Sequence, residues 1–255
     1  MKISLSTPKR YILQYILFCF LFLITVVLLI FLSYRLMQRS KESTVSLPKG
    51  SAPVVVIDAG HGGEDGGAVG ANGIYEKDLN LQIAQILNDL LRANGIQTVM
   101  TRTEDILLYD RNSDYRGQKK IQDLATRRKI AEEQANAVFI SIHMNAFPQA
   151  QYSGLQVYYS PNAPQSKELA NKIQSITKEL LLPQNRRSVK AADGTIYLLD
   201  RLQCPAVLVE CGFLSNPEEC ARLSTEEYRR QIALSLYLSI VQYFSDSDVN
   251  SQTAP

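Results

Sequence analysis

With 255 residues and a formal net charge of +2 at pH 7, the chain has room for one sizeable domain plus a short appendage, and its charge gives no argument for a nucleic-acid partner. A composition of 45% hydrophobic and 20% charged residues is that of an ordinary globular protein. Cys204, Cys211 and Cys220 show no C-x-x-C spacing, which argues against a zinc ribbon and leaves one disulfide open outside the cytoplasm.

The exception to this globular composition comes early. Tyr11–Leu32 is an uncharged run of 22 residues, against the ~20 that a membrane-spanning helix needs. It follows a short N-terminal segment, 1–10, and precedes SYRLMQRSKES, where no small-x-small cleavage site is found. The run therefore reads as an uncleaved transmembrane anchor, with Cys19 a buried thiol inside it. Lys2, Lys9 and Arg10 precede it and Arg35, Arg39 and Lys41 follow it, so the positive-inside rule does not set its orientation. The large domain follows the anchor, which makes N-terminus inside and domain outside the simpler topology. Residues 33–52 are a linker, and Ser40–Pro53 reads as a tether.

The domain is expected over 53–244. Val54–Ile57 is a β-branched strand that runs into the glycine-rich turn of DAGHGG, presenting His61 at a strand end. IYEKD then leads into a helix beginning near Asp78, whose Leu79, Ile83, Ile86, Leu87, Leu90 and Leu91 recur at helical spacing until Asn94-Gly95 closes it. Gln97–Thr101 predicts a second strand, Arg102–Lys120 a long surface loop, and Ile121–Asn136 a second helix. Val138–Ile142 is another apolar strand, and it delivers His143 at its end.

Beyond it, Gly154–Tyr159 alternates as a strand and Ser166–Leu180 as an amphipathic helix. Pro183–Gly194 is basic and turn-rich, either a solvated loop or, through Arg186, Arg187 and Lys190, a contact for an anionic substrate. Ile196–Leu199 and Ala206–Glu210 predict two short strands and Thr225–Phe244 the closing helix, with 245–255 a frayed polar tail. Strands alternating with helices imply an α/β fold, a three-layer mixed sheet flanked by helices. Ligands of such sheets bind beyond the carboxyl ends of the strands, where His61, His143 and Glu210 all fall.

A catalytic zinc site takes three protein ligands from His and carboxylate and keeps a position for water. Either histidine alone reads as a satisfied polar residue. The pair is more informative, because a chain with two histidines puts both at strand ends, in DAGHGG and SIHMNA. Glu76 is the natural third ligand, although a first-turn glutamate is equally explained by the helix dipole. Glu210 ends the apolar strand AVLVE, and as a general base it would take a proton from water and return it to a leaving nitrogen.

DAGHGGEDGGAVG, YEKDLNL, SIHMNA and VLVECGFLSN, in that order, resemble the signature blocks of the zinc-dependent N-acetylmuramoyl-L-alanine amidases that cleave bacterial peptidoglycan. The resemblance spans 53–244. It implies Zn2+ held by His61, Glu76 and His143, with Glu210 as the catalytic glutamate and Asp58 and Asn145 as supports, while Glu64 and Asp65 read as turn residues. No wall-binding repeat is visible and no long helical insertion precedes SIHMNA, a plan most similar to the spore-cortex amidases, which prepare muramic δ-lactam formation. On that likeness the expected partners are peptidoglycan, the bacterial membrane through the N-terminal helix, and an activating lipoprotein. The expected location is the cell envelope, with the catalytic domain extracytoplasmic, as in the forespore intermembrane space.

Other classes fit less well. A phosphate-binding loop would need Lys-Ser/Thr after its glycines, and HGGEDGG places carboxylates there instead. A zinc peptidase acting on stem peptides, or a silent wall- or partner-binding module on the same fold, would share the blocks. The intact His61, Glu76, His143 and Glu210 argue against the silent module.

Overall fold

The computed structural model describes residues 7–42, 53–112 and 117–253, in two compact units, Met1–Ser46 and Leu47–Pro255. The expected tether falls mostly on 43–52, outside the described residues, as do residues 1–6, 113–116 of the polar loop, and 254–255.

The first unit is one helix, α1 (Thr7–Glu42), of 36 residues. It extends past the apolar run at both ends. Pro8 sits in its first turn, where a missing N–H is tolerated, and no glycine or proline follows within the helix. Gln14–Phe31 is long and apolar enough to cross a membrane, and its Phe18, Phe22 and Leu29 are exposed. Cys19 is exposed on the same helix surface.

The second unit is built on strands β1 (Val54–Ala59), β2 (Gln97–Met100), β3 (Ala137–Asn145), β4 (Gln156–Tyr159), β5 (Lys190–Ala191) and β6 (Ala206–Phe213). They form one six-stranded sheet in the order β2-β1-β3-β6-β4-β5. The first four in that order are parallel, whereas β4 runs antiparallel to β6 and carries β5 parallel to itself. The central strands read as near-continuous apolar runs because both of their faces are covered. On one face Val55, Ile57, Val138, Ile140, Val207 and Val209 pack against α2 (Glu76–Ala93), α4 (Gln165–Leu180) and α7 (Glu226–Thr253). On the other, Val56, Phe139 and Leu208 meet α3 (Lys119–Glu132) and α5 (Tyr197–Arg201). The short α6 (Pro217–Leu223) follows β6, capped by Asn216.

Four expectations are corrected. Ile196–Leu199 is not a strand but the start of α5: Leu198 and Leu199 are adjacent and both buried in one cluster, which a strand, alternating its faces, cannot arrange. The basic stretch is not all loop, since it supplies β5 to the sheet edge. The polar stretch from Arg102 is irregular, yet Arg102 and Leu107 are buried, so it is not wholly a surface loop. The tail does not fray at 245, because α7 continues to Thr253, with Lys172 pairing Asp246 at 2.5 Å. Cys204, Cys211 and Cys220 are all free thiols.

Candidate active site

The carboxyl ends of β1, β3 and β6 share one edge of the sheet, and three of the expected residues meet there. His61 follows β1 in a turn, with φ of 63°, a left-handed conformation that costs a non-glycine residue on the order of 1 kcal/mol. Gly60 makes the approach feasible, because a Cβ at that position would collide with the His143 ring. The two imidazoles stand edge to face with centroids 4.9 Å apart.

Glu76 opens α2 and is buried. Its Oε1 lies 3.2 Å from His61 Nε2 and 2.9 Å from His143 Nδ1, and accepts a 3.0 Å hydrogen bond from Met144 N. Its Oε2 accepts from Ala68 N at 2.8 Å, while Glu76 N donates to Ala68 O at 2.9 Å, a reciprocal pair that fastens the glycine loop to the helix. The three donor groups lie within 4.8 Å of one another. Ligands bonded at about 2.1 Å to one tetrahedral ion stand roughly 3.4 Å apart, so two imidazoles and a carboxylate at this spacing suit a divalent metal ion.

The electrostatics follow from these contacts. Burial favours a neutral His61, but Asp65 and Glu76 outweigh it and raise the ring to about 9. Burial also opposes ionisation of Glu76, and both histidines overcome it, holding the carboxyl well below the usual range. Glu210 lies opposite His143 in the β3–β6 register. Its Oε2 is buried without a hydrogen-bond partner among the described residues, and burial pushes its carboxyl up to about 7. A partnerless carboxyl oxygen beside two imidazoles is placed to exchange a proton with something bound between them.

Asp65, read from the sequence as a turn residue, instead sets its Oδ1 2.9 Å from His61 Nδ1. Glu64 remains at the rim with Tyr109 and Lys119. Asp58 hydrogen-bonds to neither histidine. It accepts from Thr101, Ser141 and Arg127, and Arg127 donates onward to the carbonyls of Ala59 at 2.6 Å and His61 at 2.7 Å. Arg102 holds the carbonyls of Ala59 and Gly60 from the other side. Asn145 lies past the irregularity that follows His143, its carbonyl accepting from Leu214 N.

The two braces Arg102 and Arg127 were invisible in sequence. Arg127 stands in ATRRKIA beside another arginine with no local mark of difference, and its partner Asp58 is 69 positions away. Arg127→Met is expected to cost about 3–5 kcal/mol of stability, because Asp58 and Asp123 would be left buried without their counter-charge. Urea denaturation measures it, and a loss below about 1 kcal/mol would show that the pair braces nothing.

A family model described as N-acetylmuramoyl-L-alanine amidase matches residues 55–242. The chain is 34% identical over 226 residues to a germination-specific N-acetylmuramoyl-L-alanine amidase of Bacillus subtilis, covering 88% of this chain and 94% of that relative. Among solved structures, the CwlD amidase of Clostridioides difficile, in complex with the GerS lipoprotein, matches with a TM-score of 0.71 at 41% identity, over 76% of this chain and 98% of that one. AmiC2 of Nostoc punctiforme, an N-acetylmuramoyl-L-alanine amidase, matches with a TM-score of 0.65 at 32% identity, over 76% of this chain and 97% of that one.

Proposed function

The chain belongs to the N-acetylmuramoyl-L-alanine amidase family, and on that premise we propose that His61, Glu76 and His143 hold a catalytic zinc ion beside which Glu210 manages the protons of amide hydrolysis. The bond is the amide joining the lactyl group of N-acetylmuramic acid to the first L-alanine of the peptidoglycan stem peptide. The observation that carries the residue assignment is the convergence of both histidines on Glu76 Oε1, at 3.2 and 2.9 Å.

Zinc, when bound, supplies a Lewis acid for the scissile carbonyl and water acidic enough to react near neutral pH. The remaining work falls to the protein. Glu210 accepts the proton of the attacking water and passes it to the departing nitrogen, which is a poor leaving group until protonated. Burial favours the protonated form of its carboxyl, which suits a group that must hold the proton between the two transfers. Asp65 sets its carboxylate 2.9 Å from His61 Nδ1 as a charge partner, while Nε2 is turned toward Glu76. Asp65→Asn is expected to weaken zinc affinity about 10–100-fold. Competition with a chelator of known affinity measures this, and an unchanged constant would remove Asp65 from that role.

The bond itself is tested by digesting purified peptidoglycan with the full chain. Free stem peptides beginning with L-alanine and intact glycan chains are expected. Shortened peptides still attached to sugar would instead identify a zinc peptidase.

We read α1 as an uncleaved anchor that keeps the enzyme at the envelope membrane with its catalytic unit outside the cytoplasm. Its apolar window of 18 residues makes about 27 Å of helix, close to the ~30 Å hydrocarbon core. Likeness to the germination-specific relative supports a role in the spore cortex and a forespore setting. Likeness to the amidase complexed with the GerS lipoprotein supports an activating lipoprotein as partner.

A further inference from the structure

A second cleft, of about 490 Å³, opens between the loop after β3, the α4–β5 connection and α6, lined among others by Tyr152, Asn185, Arg186, Arg187, Glu219 and Arg222. It lies beside the candidate active site. Gln156 faces Glu210 across the β4–β6 register, and Arg187 donates to Gln156 Oε1 at 3.2 Å. The Arg187 guanidinium also lies over the Phe213 ring at 4.4 Å. Phe213 is three residues beyond Glu210 on the same strand, a distance of roughly 10 Å.

The charges of the cleft are not balanced. Three arginines line it against one acid, and that acid is already engaged: Glu219 accepts from Gly154 N at 3.0 Å and Phe213 N at 2.8 Å, with Arg222 Nη2 at 3.5 Å. Arg187 is committed as a brace through Ser153 O and Gln156. Arg186 is exposed and bonds to nothing among the described residues, and the Arg222 side chain is half exposed. Arg186 is therefore free of partners among the described residues, and Arg222, loosely paired with Glu219 at 3.5 Å and set over the Tyr228 ring at 5.1 Å, keeps an exposed side, at a concave, partly aromatic wall where Tyr152 stacks edge to face on Phe147. A guanidinium in such a setting selects a planar anion, above all a carboxylate.

Resting on the amidase reading, we propose that this cleft is the peptide-side subsite, in which Arg186 and Arg222 hold a carboxylate of the stem peptide. The sugar side of the scissile amide is uncharged, whereas the departing peptide carries carboxylates, so charge alone assigns the cleft to the peptide. Cleavage then releases a product whose anion is gripped about one short peptide's length from Glu210.

The test is calorimetric titration of the full chain, in detergent, with a synthetic stem peptide that begins with L-alanine. Its carboxylates are left free, amidated on the second residue only, or amidated at the C-terminus only. The free form is expected to bind about tenfold or more tightly than one of the amidated forms, whichever masks the carboxylate that is held. Arg186→Gln and Arg222→Gln should each erase that preference, and Lys190→Gln, which removes equal charge outside the cleft, should keep it. Equal binding of all three peptides by the unmodified chain would overturn the proposal, as would a preference that survives both arginine variants. Hydrolysis of intact muropeptides is followed alongside. A preserved peptide preference without any hydrolysis would count against the amidase reading and not against the cleft.

Discussion

Alanine in place of His143 is expected to remove zinc and activity together. The ring supplies one of the three ligand groups, with Glu76 and His61, that lie within 4.8 Å of one another, and the chain's other histidine, His61, is already committed to the same group. No spare imidazole can substitute. Losing the Lewis acid forfeits several kcal/mol of transition-state stabilisation, which at about 1.4 kcal/mol per factor of ten is a fall of roughly a thousandfold or more. Metal analysis of the purified chain, with circular dichroism to check folding, reads the two consequences separately. The apolar side chains of β3 are untouched by the substitution, so the fold should persist. Full zinc occupancy in His143→Ala would overturn the ligand assignment.

Glu210→Gln is expected to dissociate the same two quantities, keeping zinc while turnover falls about 10²–10⁴-fold. The amide preserves shape but can neither take the proton of water nor deliver it to nitrogen. Near-normal turnover would exclude Glu210 from the chemistry. Stability gives an independent readout in chelator-treated protein. Burial raises the carboxyl from 4.5 to about 7, so the folded state binds its proton more tightly than the unfolded state, and stability declines as pH rises through that window. The glutamine variant lacks this term. Its stability should fall less steeply between those pH values, and an identical slope would mean that Glu210 is not held in a desolvated state.

Much of this was legible in sequence where two signals coincided. VVVIDA, AVFISI and AVLVE are largely apolar on both faces, so each reads as a strand without knowledge of its neighbours. With two histidines in the chain, their common position at strand ends was informative, and Glu76 and Glu210 followed from the same blocks. What escaped was decided by tertiary contact. Leu198 and Leu199 satisfy a strand as well as a helix until the cluster that receives both is known. Asp65 looks like any turn aspartate until the left-handed His61 brings Nδ1 back to it. Arg127 has no signature at all, because its role comes from the carbonyls of Ala59 and His61 that it reaches across the fold.

The reversal of β4 and β5 relative to the other strands bears on how such an enzyme can diversify. It brings the beginnings of two strands to the edge where the other four end, so the proposed zinc groups and the arginine cleft are furnished by separate loops on one rim. The turn after β1 is pinned by Arg102, Arg127 and the Glu76–Ala68 pair, and leaves little freedom for change. Residues 183–188 are tied to β4 and the turn before it through Asn185, Arg187 and Ser188, while Pro183, Gln184 and Arg186 are exposed, and exposed loop positions of that kind accept insertion and substitution. Descendants of such a chain could adapt to a differently decorated wall by altering one loop, while inheriting the hydrolytic centre unchanged.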